Sequence, residues 1–403
     1  MMTVIDKRIF TTLFFSLFTA VTGVGIVVPL LPVYALHLGA GGLYIGLIFG
    51  AFSISRSIFL PYFGRLSDRK GRKPFIVTGL IAYAAVSFAF MFSETVGGLI
   101  TIRFFQGIAS AMLMPVCQAY IGDITPPGRE GTVMGLFNVA MFTGLSIGPV
   151  LGGLINDRFS LDAAFAAMGL LSVAGFFMSL YFLPAVSTEN VRRQARAVVT
   201  WRSLMMDRSI IALFAIRGAY AACIGIIWGF LPVLAAAELK LTSAHIGFLV
   251  TLGVLVSGIM HVPMGFLADR VSRRGMVLVG SGIIVMAVAA FYGAHTFNQM
   301  LAASLVFGVG GGIAMPAQMA LAVAAGSRTK AMGAVMGVLT LAHSLGMLAG
   351  AVLAGGLMDV LSLRAAFPFG SVIMAAALAA FILLHASEPK TTATAATADP
   401  DFL

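Results

Sequence analysis

Three arginines stand inside apolar segments of the chain, where an ionised side chain is costly. Arg56, Arg103 and Arg217 each lie within a run long enough to cross a bilayer. Charges in such positions commonly line ion or substrate pathways, so each is a functional candidate. The alternative is a structural role in which the long side chain reaches the headgroups. For Arg56 and Arg217 the two interpretations have equal support.

Two histidines also lie within apolar runs, His261 and His343. Imidazole titrates near neutral pH, so either side chain could relay protons. A lone histidine in a helical bundle is more often a packing residue, and this interpretation is the favoured one. His343 is retained as a candidate for the proton pathway.

Unlike these arginines and histidines, the acidic residues avoid the middle of the apolar runs: none of the 15 Asp and Glu stands at the centre of one. Proton coupling would therefore have to use Asp123, His343 or a charge on the substrate, and the sequence does not choose among them. Strong selection of cations is also disfavoured, because no opposite charge offsets the cost of moving a cation into low dielectric.

Several kinds of chemistry are not expected from this sequence. Cys117 and Cys223 both lie inside apolar runs, which argues against a disulfide framework or a cysteine-based metal site. No G-x-x-x-x-G-K-[ST] segment is present to cradle the phosphates of ATP. We expect no catalytic residues, no metal and no cofactor, and hence a protein that is not an enzyme.

The composition places these residues in a membrane protein. Of the 403 residues, 60% are hydrophobic and 10% are charged, against roughly 45–50% and about 25% in soluble proteins. A soluble enzyme is excluded, and the lipid bilayer is the first expected partner. The net charge of +10 resides in short loops, so it indicates topology and not nucleic-acid binding.

A spanning helix needs about 20 apolar residues, and the length of the chain accommodates a dozen. Charges and turn residues divide the sequence into twelve predicted spans, which defines an all-α membrane protein. The predicted spans are 10–36, 42–63, 75–93, 97–122, 132–155, 163–184, 209–236, 244–266, 276–294, 298–325, 332–358 and 365–386.

Lysine and arginine alternate strongly between the connections. With both termini inside, 19 of the 25 Lys and Arg fall in inside segments, and the outside loops hold only Arg158, Lys240 and Arg364. Positive loops are retained in the cytoplasm, so both termini are predicted to be cytoplasmic. The predicted location is the cytoplasmic, or inner, membrane.

The chain is internally repeated. The segment GRLSDRKGRK from Gly64 recurs as GFLADRVSRR from Gly265, and Met114 recurs as Met315 at the same shift. Paired repeats around a central cavity are typical of secondary transporters. We predict bundles of six helices over 1–184 and 209–386, a cytoplasmic linker over 185–208 and a disordered tail over 387–403.

Three motifs resemble those of the major facilitator superfamily, over about residues 8–386. The loop from Gly64 to Lys73 is similar to its signature loop, and Arg103 to Gly107 is similar to its R-x-x-Q-G element. The segment from Gly144 to Gly153 resembles the G-x-x-x-G-P-x-x-G-G element of its twelve-spanning drug:proton antiporters. Many of those antiporters carry a carboxylate in the first helix, which this chain lacks.

The resemblance implies the major facilitator fold, with two pseudo-symmetric bundles, and a role for each motif. The loop would act as a latch that favours the outward-facing state, and Arg72 would pair with Asp123. A simple retention signal in the cytoplasm is the alternative. Arg103 would face the cavity and take part in proton transfer. The residues assigned to the latch are Gly64, Asp68, Arg69, Gly71, Arg72 and Asp123, and those assigned to the proton or substrate pathway are Arg103, Gln106, Gly107, His343 and Arg217.

The third motif resembles an element of exporters, so it favours outward transport. Its glycines recur every four residues on one helix face, where a neighbouring backbone can approach closely, and its proline bends the helix. We expect a close seam between the two halves, with ordinary helix packing as the alternative. The residues are Gly144, Gly148, Pro149, Gly152 and Gly153.

These features together predict a secondary active transporter, a monomer, that exports small amphipathic or drug-like molecules by multidrug efflux. Exchange for protons and alternating access complete the hypothesis. The alternatives are an uptake symporter or facilitator for a small metabolite and an exporter of a lipid-linked molecule. A non-transporting sensor is disfavoured, since no loop is long enough to form an added domain.

Overall fold

The structure is a computed structural model, and it describes residues 7–125, 130–184, 206–329 and 332–385. Most of the predicted linker 185–208 and all of the predicted tail 387–403 lie outside these residues, so both remain predictions.

Twelve long α-helices make up nearly all of the described chain, and each is long and apolar enough to cross a membrane. A short 3-10 turn, Leu363–Ala365, precedes the last of them. The helices are α1 Lys7–His37, α2 Gly42–Lys70, α3 Arg72–Phe90, α4 Val96–Ile124, α5 Glu130–Arg158, α6 Leu161–Phe182, α7 Arg208–Ala237, α8 Ser243–Arg270, α9 Arg273–Ala290, α10 Phe297–Arg328, α11 Met332–Val360 and α12 Ala366–His385.

Most helices run past the predicted spans. Helix α2 continues to Lys70, although its span was predicted to end at residue 63. The hydropathy pattern marks the part inside lipid, whereas a helix continues into water for as long as its backbone hydrogen bonds are made. Side-chain caps begin several helices: Thr95, Ser160 and Thr296 each accept a backbone N–H at the start of α4, α6 and α10.

The same helix pairs pack in each half. In the first half α1 packs on α5 and α6, α4 packs on α2 and α3, and α3 packs on α6. In the second half α7 packs on α11 and α12, α10 packs on α8 and α9, and α9 packs on α12. The predicted fold, two pseudo-symmetric six-helix bundles, is confirmed.

The halves meet along α2 with α11, α5 with α8, and α1 with α7. We call the side where α2 joins α3 and α8 joins α9 the basic face, after Arg69, Lys70, Arg270 and Arg273. The other side, where α5 joins α6 and α7 joins α8, is the opposite face.

The glycine face of α5 packs inside its own half. A Cβ on Gly148 would lie 2.7 Å from the Cα of Gly25 and 2.5 Å from the carbonyl oxygen of Thr22, both on α1. Gly144 and Gly152 likewise face α1, at Thr22 and Ile26.

The expected seam between the halves is wrong for Gly144, Gly148 and Gly152, whereas Pro149 and Gly153 of the same motif do lie in it. A different side of α5 forms it: Gly153 meets Ser243 and Ala244 on α8, and the carbonyl of Pro149 meets Gly247. Helical spacing groups residues on one face, but it does not identify the helix that the face meets.

The α1–α5 contact yields a stability test. Gly148→Ala should destabilise the protein by about 1–3 kcal/mol, because the added methyl group enters a filled interface. Gly282→Ala on α9 is the matched control, since a Cβ there meets open space. Thermal unfolding of the purified variants in detergent is the measurement, and equal midpoints for the two would contradict the packing.

Candidate functional site

The basic loop between α2 and α3 turns on one residue. Gly71 has φ of 89° and is both the last cap of α2 and the first cap of α3. This left-handed conformation favours glycine. Gly64 faces open space, and the side chain of Arg69 is exposed.

Arg72, the first residue of α3, connects α3 to α2 and α4 next to this turn. Its side chain is buried and forms ion pairs with Asp68 on α2, at 2.5 Å, and with Asp123 on α4, at 3.0 Å. It also donates to the hydroxyl of Ser67 at 2.8 Å. The pairing of Arg72 with Asp123 that the resemblance implied is present in the structure, whereas a latch function remains a prediction.

The repeated loop lacks such a centre. Arg273 pairs with Asp269 at 3.5 Å, and 38% of the Arg273 side chain and 71% of the Asp269 side chain are exposed. The position equivalent to Asp123 is Ala324, so no acid from α10 completes the arrangement. The first loop is therefore held by two ion pairs of a buried arginine, and the second by one longer and more exposed pair, despite their similar sequences.

Arg103 points into its own half. Its guanidinium donates to the side-chain oxygen of Gln106 at 2.6 Å and to the carbonyl of Ile48 on α2 at 3.3 Å. It also lies over the rings of Phe49 and Phe52, at 5.2 and 4.6 Å. With 3% of its surface exposed, Arg103 does not reach the headgroups, and its contacts join α4 to α2.

Gly107 serves the same contact. A Cβ there would meet the hydroxyl of Ser55 and the backbone of α2 near Phe52. Gly107 therefore permits α4 to approach α2 closely. No contact of Gly107 supports its predicted role in a proton or substrate pathway.

Arg56 and Arg217 come from different halves and lie at the same level of the bundle as His343. Arg56 is the midpoint of α2, about 21 Å from either end. Two contacts with α11 place both helices there: Gly50 of α2 packs on Leu348, and a Cβ on Gly218 of α7 would lie 3.4 Å from the carbonyl oxygen of Ala342.

Each of these two arginines rests on a methionine. Arg56 donates to the sulfur of Met114 at 3.3 Å, and Arg217 donates to the sulfur of Met315. Met114 and Met315 are the repeat-equivalent residues of α4 and α10. Sequence reasoning missed these contacts, since the arginines themselves are not equivalent in the repeat.

Several buried side-chain atoms of the bundle have no hydrogen-bond partner. The Nε atoms of Arg56 and Arg217 and the Nδ1 atom of His343 are buried without a hydrogen bond, as are both amide atoms of Gln318. Within the described residues, no carboxylate forms an ion pair with either arginine. As whole residues, Arg56, Arg217 and His343 are each half-buried.

His261 is a packing residue by its contacts. Its Nδ1 lies 2.5 Å from the carbonyl of Ser257, and its ring packs on Phe142 of α5, with centroids 4.7 Å apart. This agrees with the favoured interpretation of that residue.

Two aspartates join the halves at the opposite face, and sequence reasoning did not assign them. Asp157 at the end of α5 accepts the backbone N–H groups of Ser243 and Ala244 at the start of α8, at 3.0 and 2.8 Å. Asp359 at the end of α11 accepts those of Gly42 and Leu43 at the start of α2, at 2.6 and 2.9 Å.

A carboxylate at a helix N-terminus satisfies free N–H groups and interacts favourably with the helix dipole. Asp157 and Asp359 are separated by 202 residues, close to the shift between the repeated loops, and this was the signal that could have identified them. Two further bonds, from Asn156 to Ser243 and from Thr251 to Ser146, reinforce the α5–α8 contact. The opposite face is therefore closed by an equivalent pair of contacts.

A duplicated twelve-helix membrane protein with unpartnered polar groups at its centre and a closed face has the architecture of a secondary transporter. The profile of the Major Facilitator Superfamily matches the chain twice, over residues 13–225 and 213–401. The chain belongs to this superfamily.

The chain is also similar to two relatives and to one solved structure. The uncharacterised MFS-type transporter MJ1560 of Methanocaldococcus jannaschii is 30% identical over 372 residues, 91% of this chain and 95% of that protein. The quinolone resistance protein NorA of Staphylococcus aureus is 31% identical over 203 residues, 49% of this chain and 52% of NorA. The crystal structure of the nucleoside transporter NupG has a TM-score of 0.76 at 12% identity, covering 94% of this chain and 100% of that one.

The aspartate caps predict how the opposite face opens. Replacing both Asp157 and Asp359 with alanine should shift the equilibrium toward opening by about five- to thirtyfold, since each cap contributes about 1 kcal/mol. The measurement is the rate at which a maleimide labels Ile246→Cys, whose native side chain is buried one turn below the α8 cap.

Asp162→Ala is the matched control, because Asp162 is an exposed acid on the same side, at the start of α6. Equal labelling rates in the double variant and this control would show that the caps do not hold the face closed.

Proposed function

We propose that this protein is a secondary active transporter that exports small amphipathic molecules across the cytoplasmic membrane. Alternating access moves the substrate, and protons are exchanged for it. The observation that carries the proposal is the contact of α5 with α8 of the other half, through Pro149 and Gly153 of the motif that resembles the antiporter element. The similarity to NorA, a quinolone resistance protein, supports the outward direction.

The excess of Lys and Arg on the basic face supports its assignment to the cytoplasm, with both termini there. In this orientation the aspartate caps close the external side. Transport requires them to break and re-form, which is feasible for short-range contacts between helix ends and single carboxylates. The protein acts as a monomer in this proposal, since each chain contains both halves.

Candidates for the proton pathway lie at different levels. Asp123 is engaged by Arg72 near the basic face, and Arg103 is engaged by Gln106. His343 lies on α11 near the centre of the bundle, where its Nδ1 has no hydrogen-bond partner, and it stays a candidate beside Asp123 and Arg103.

The centre also suits an apolar body. The sulfur atoms of Met114 and Met315 contact the arginines. Methionine adapts to varied apolar shapes. A second candidate function, uptake of a small polar metabolite, is supported by the buried amide of Gln318, whose two polar atoms both lack a partner.

Everted vesicles test the export proposal. When a proton gradient is imposed, vesicles that contain the protein should accumulate amphipathic dyes, and expression should lower the susceptibility of cells to such compounds. No accumulation of any candidate and no change in susceptibility would make export wrong.

A cross-link between the two halves tests alternating access. The side chains of Asn156 and Ser243 are 2.8 Å apart across the halves, so cysteines at both positions should form a disulfide on oxidation. Accumulation should stop in the oxidised variant and return on reduction. Undiminished transport by the oxidised protein would contradict alternating access.

A further inference from the structure

We propose that the substrate is an organic anion, and that Arg56 and Arg217 bind its acidic group. This assignment rests on the proposed function and specifies the chemical class of its substrate. The relevant group is a carboxylate or sulfonate attached to an apolar body.

The first argument is charge balance. Arg56 and Arg217 lie in the middle of the bundle together with His343, and within the described residues neither arginine has an acidic partner. The sequence places none of its 15 acids at the centre of a span. An ionised group in low dielectric is strongly stabilised by an opposite charge, and here a bound molecule is the remaining source of one.

The second argument is hydrogen bonding. A guanidinium offers five N–H donors in a planar fork that matches a carboxylate. The thioether sulfur atoms of Met114 and Met315 are weak acceptors and satisfy one donor of each arginine. The Nε donors remain without a partner, so each arginine retains capacity for a stronger acceptor.

The third argument is contrast with the other arginines of the structure. Arg72 has two carboxylates, and Arg103 has Gln106, a backbone carbonyl and two aromatic rings. Both are almost fully buried, with 7% and 3% of their surface exposed. Arg56 and Arg217 are more accessible and less satisfied, which is the arrangement of a binding site and not of a structural ion pair.

The arginines also come from opposite halves, Arg56 from α2 and Arg217 from α7. An anion bound between them would draw both halves toward the same group. Binding therefore couples to the relative position of the halves, which is what a transported substrate has to do.

Three probes of one shape and different charge test the assignment: 2-naphthoate, 2-naphthamide and 2-naphthylmethylammonium. Equilibrium binding to the full-length protein in nanodiscs, in a dilute buffer that contains neither a carboxylate nor a sulfonate, is the measurement. We expect 2-naphthoate to bind at least about tenfold more tightly than either of the others, because charge-assisted hydrogen bonds are stronger than neutral ones. Equal affinities for the carboxylate and the ammonium probe would overturn the assignment.

Arg56→Gln and Arg217→Gln should each weaken 2-naphthoate binding by about ten- to a hundredfold and leave 2-naphthamide binding nearly unchanged. Arg158→Gln is the matched control, since Arg158 is exposed at the end of α5. Wild-type affinity for 2-naphthoate in both Arg56→Gln and Arg217→Gln would overturn the assignment.

The thermal midpoint without ligand separates binding from folding. Replacing an unpaired buried charge with a neutral amide should leave the midpoint equal or higher. A loss of binding that accompanies a lowered midpoint and affects all three probes equally would overturn the binding role and assign the arginines to structure.

Two further arms separate this inference from other outcomes. Displacement of 2-naphthoate by chloride with comparable affinity would show an inorganic anion site and overturn the organic substrate. Vesicles that transport the amide or ammonium probe but not the carboxylate would overturn the anion inference and leave export standing, whereas transport of none of the three would count against export itself.

Discussion

The cost of an uncompensated charge inside the bilayer is the constraint on which this structure depends. Of the three arginines within the spans, Arg103 is satisfied by its own half through Gln106, a carbonyl and two aromatic rings. Arg56 and Arg217 each have a buried Nε without a partner, and they lie at the level of His343 on three different helices. A positive centre with methionine beside each guanidinium is a site that a molecule with an acidic group and an apolar body would complete.

The same constraint explains where the acids lie. Asp157 and Asp359 stand at helix ends of the opposite face, where each carboxylate meets two free backbone N–H groups of the other half. Asp68 and Asp123 lie near the basic face around Arg72. Carboxylates thus hold the ends of the bundle together, and the middle is left positive. If the substrate is an anion, its exit from a cell with a negative interior is assisted by the membrane potential, by about 2.3 kcal/mol per charge per 100 mV.

Small residues bring helices of the two halves close together at the interfaces between them. Gly153 and Gly247 permit α5 and α8 to approach closely, and Gly42 and Gly46 do the same for α2 and α11. Dispersion between such surfaces is modest and does not require large side chains to interlock.

The sequence by itself determined the twelve spans, the duplication and the excess of charge on one side, because each follows from a local property. A spanning helix satisfies its own backbone hydrogen bonds, so apolar length alone identifies it. The pairing of Arg72 with Asp123 was also within reach, through the resemblance of the loop. Helix ends such as Lys70 were missed because a helix extends into water beyond its apolar part.

Only the tertiary structure decided which helix each face meets. Gly148 could equally have faced the other half of the molecule, and its contact with Gly25 on α1 depends on how helices more than 100 residues apart along the chain pack. The grouping of Arg56, Arg217 and His343 has the same origin, since they belong to three helices in two halves. Helical periodicity fixes a residue's direction relative to its own axis, whereas the neighbour in that direction is set by the packing of all twelve helices.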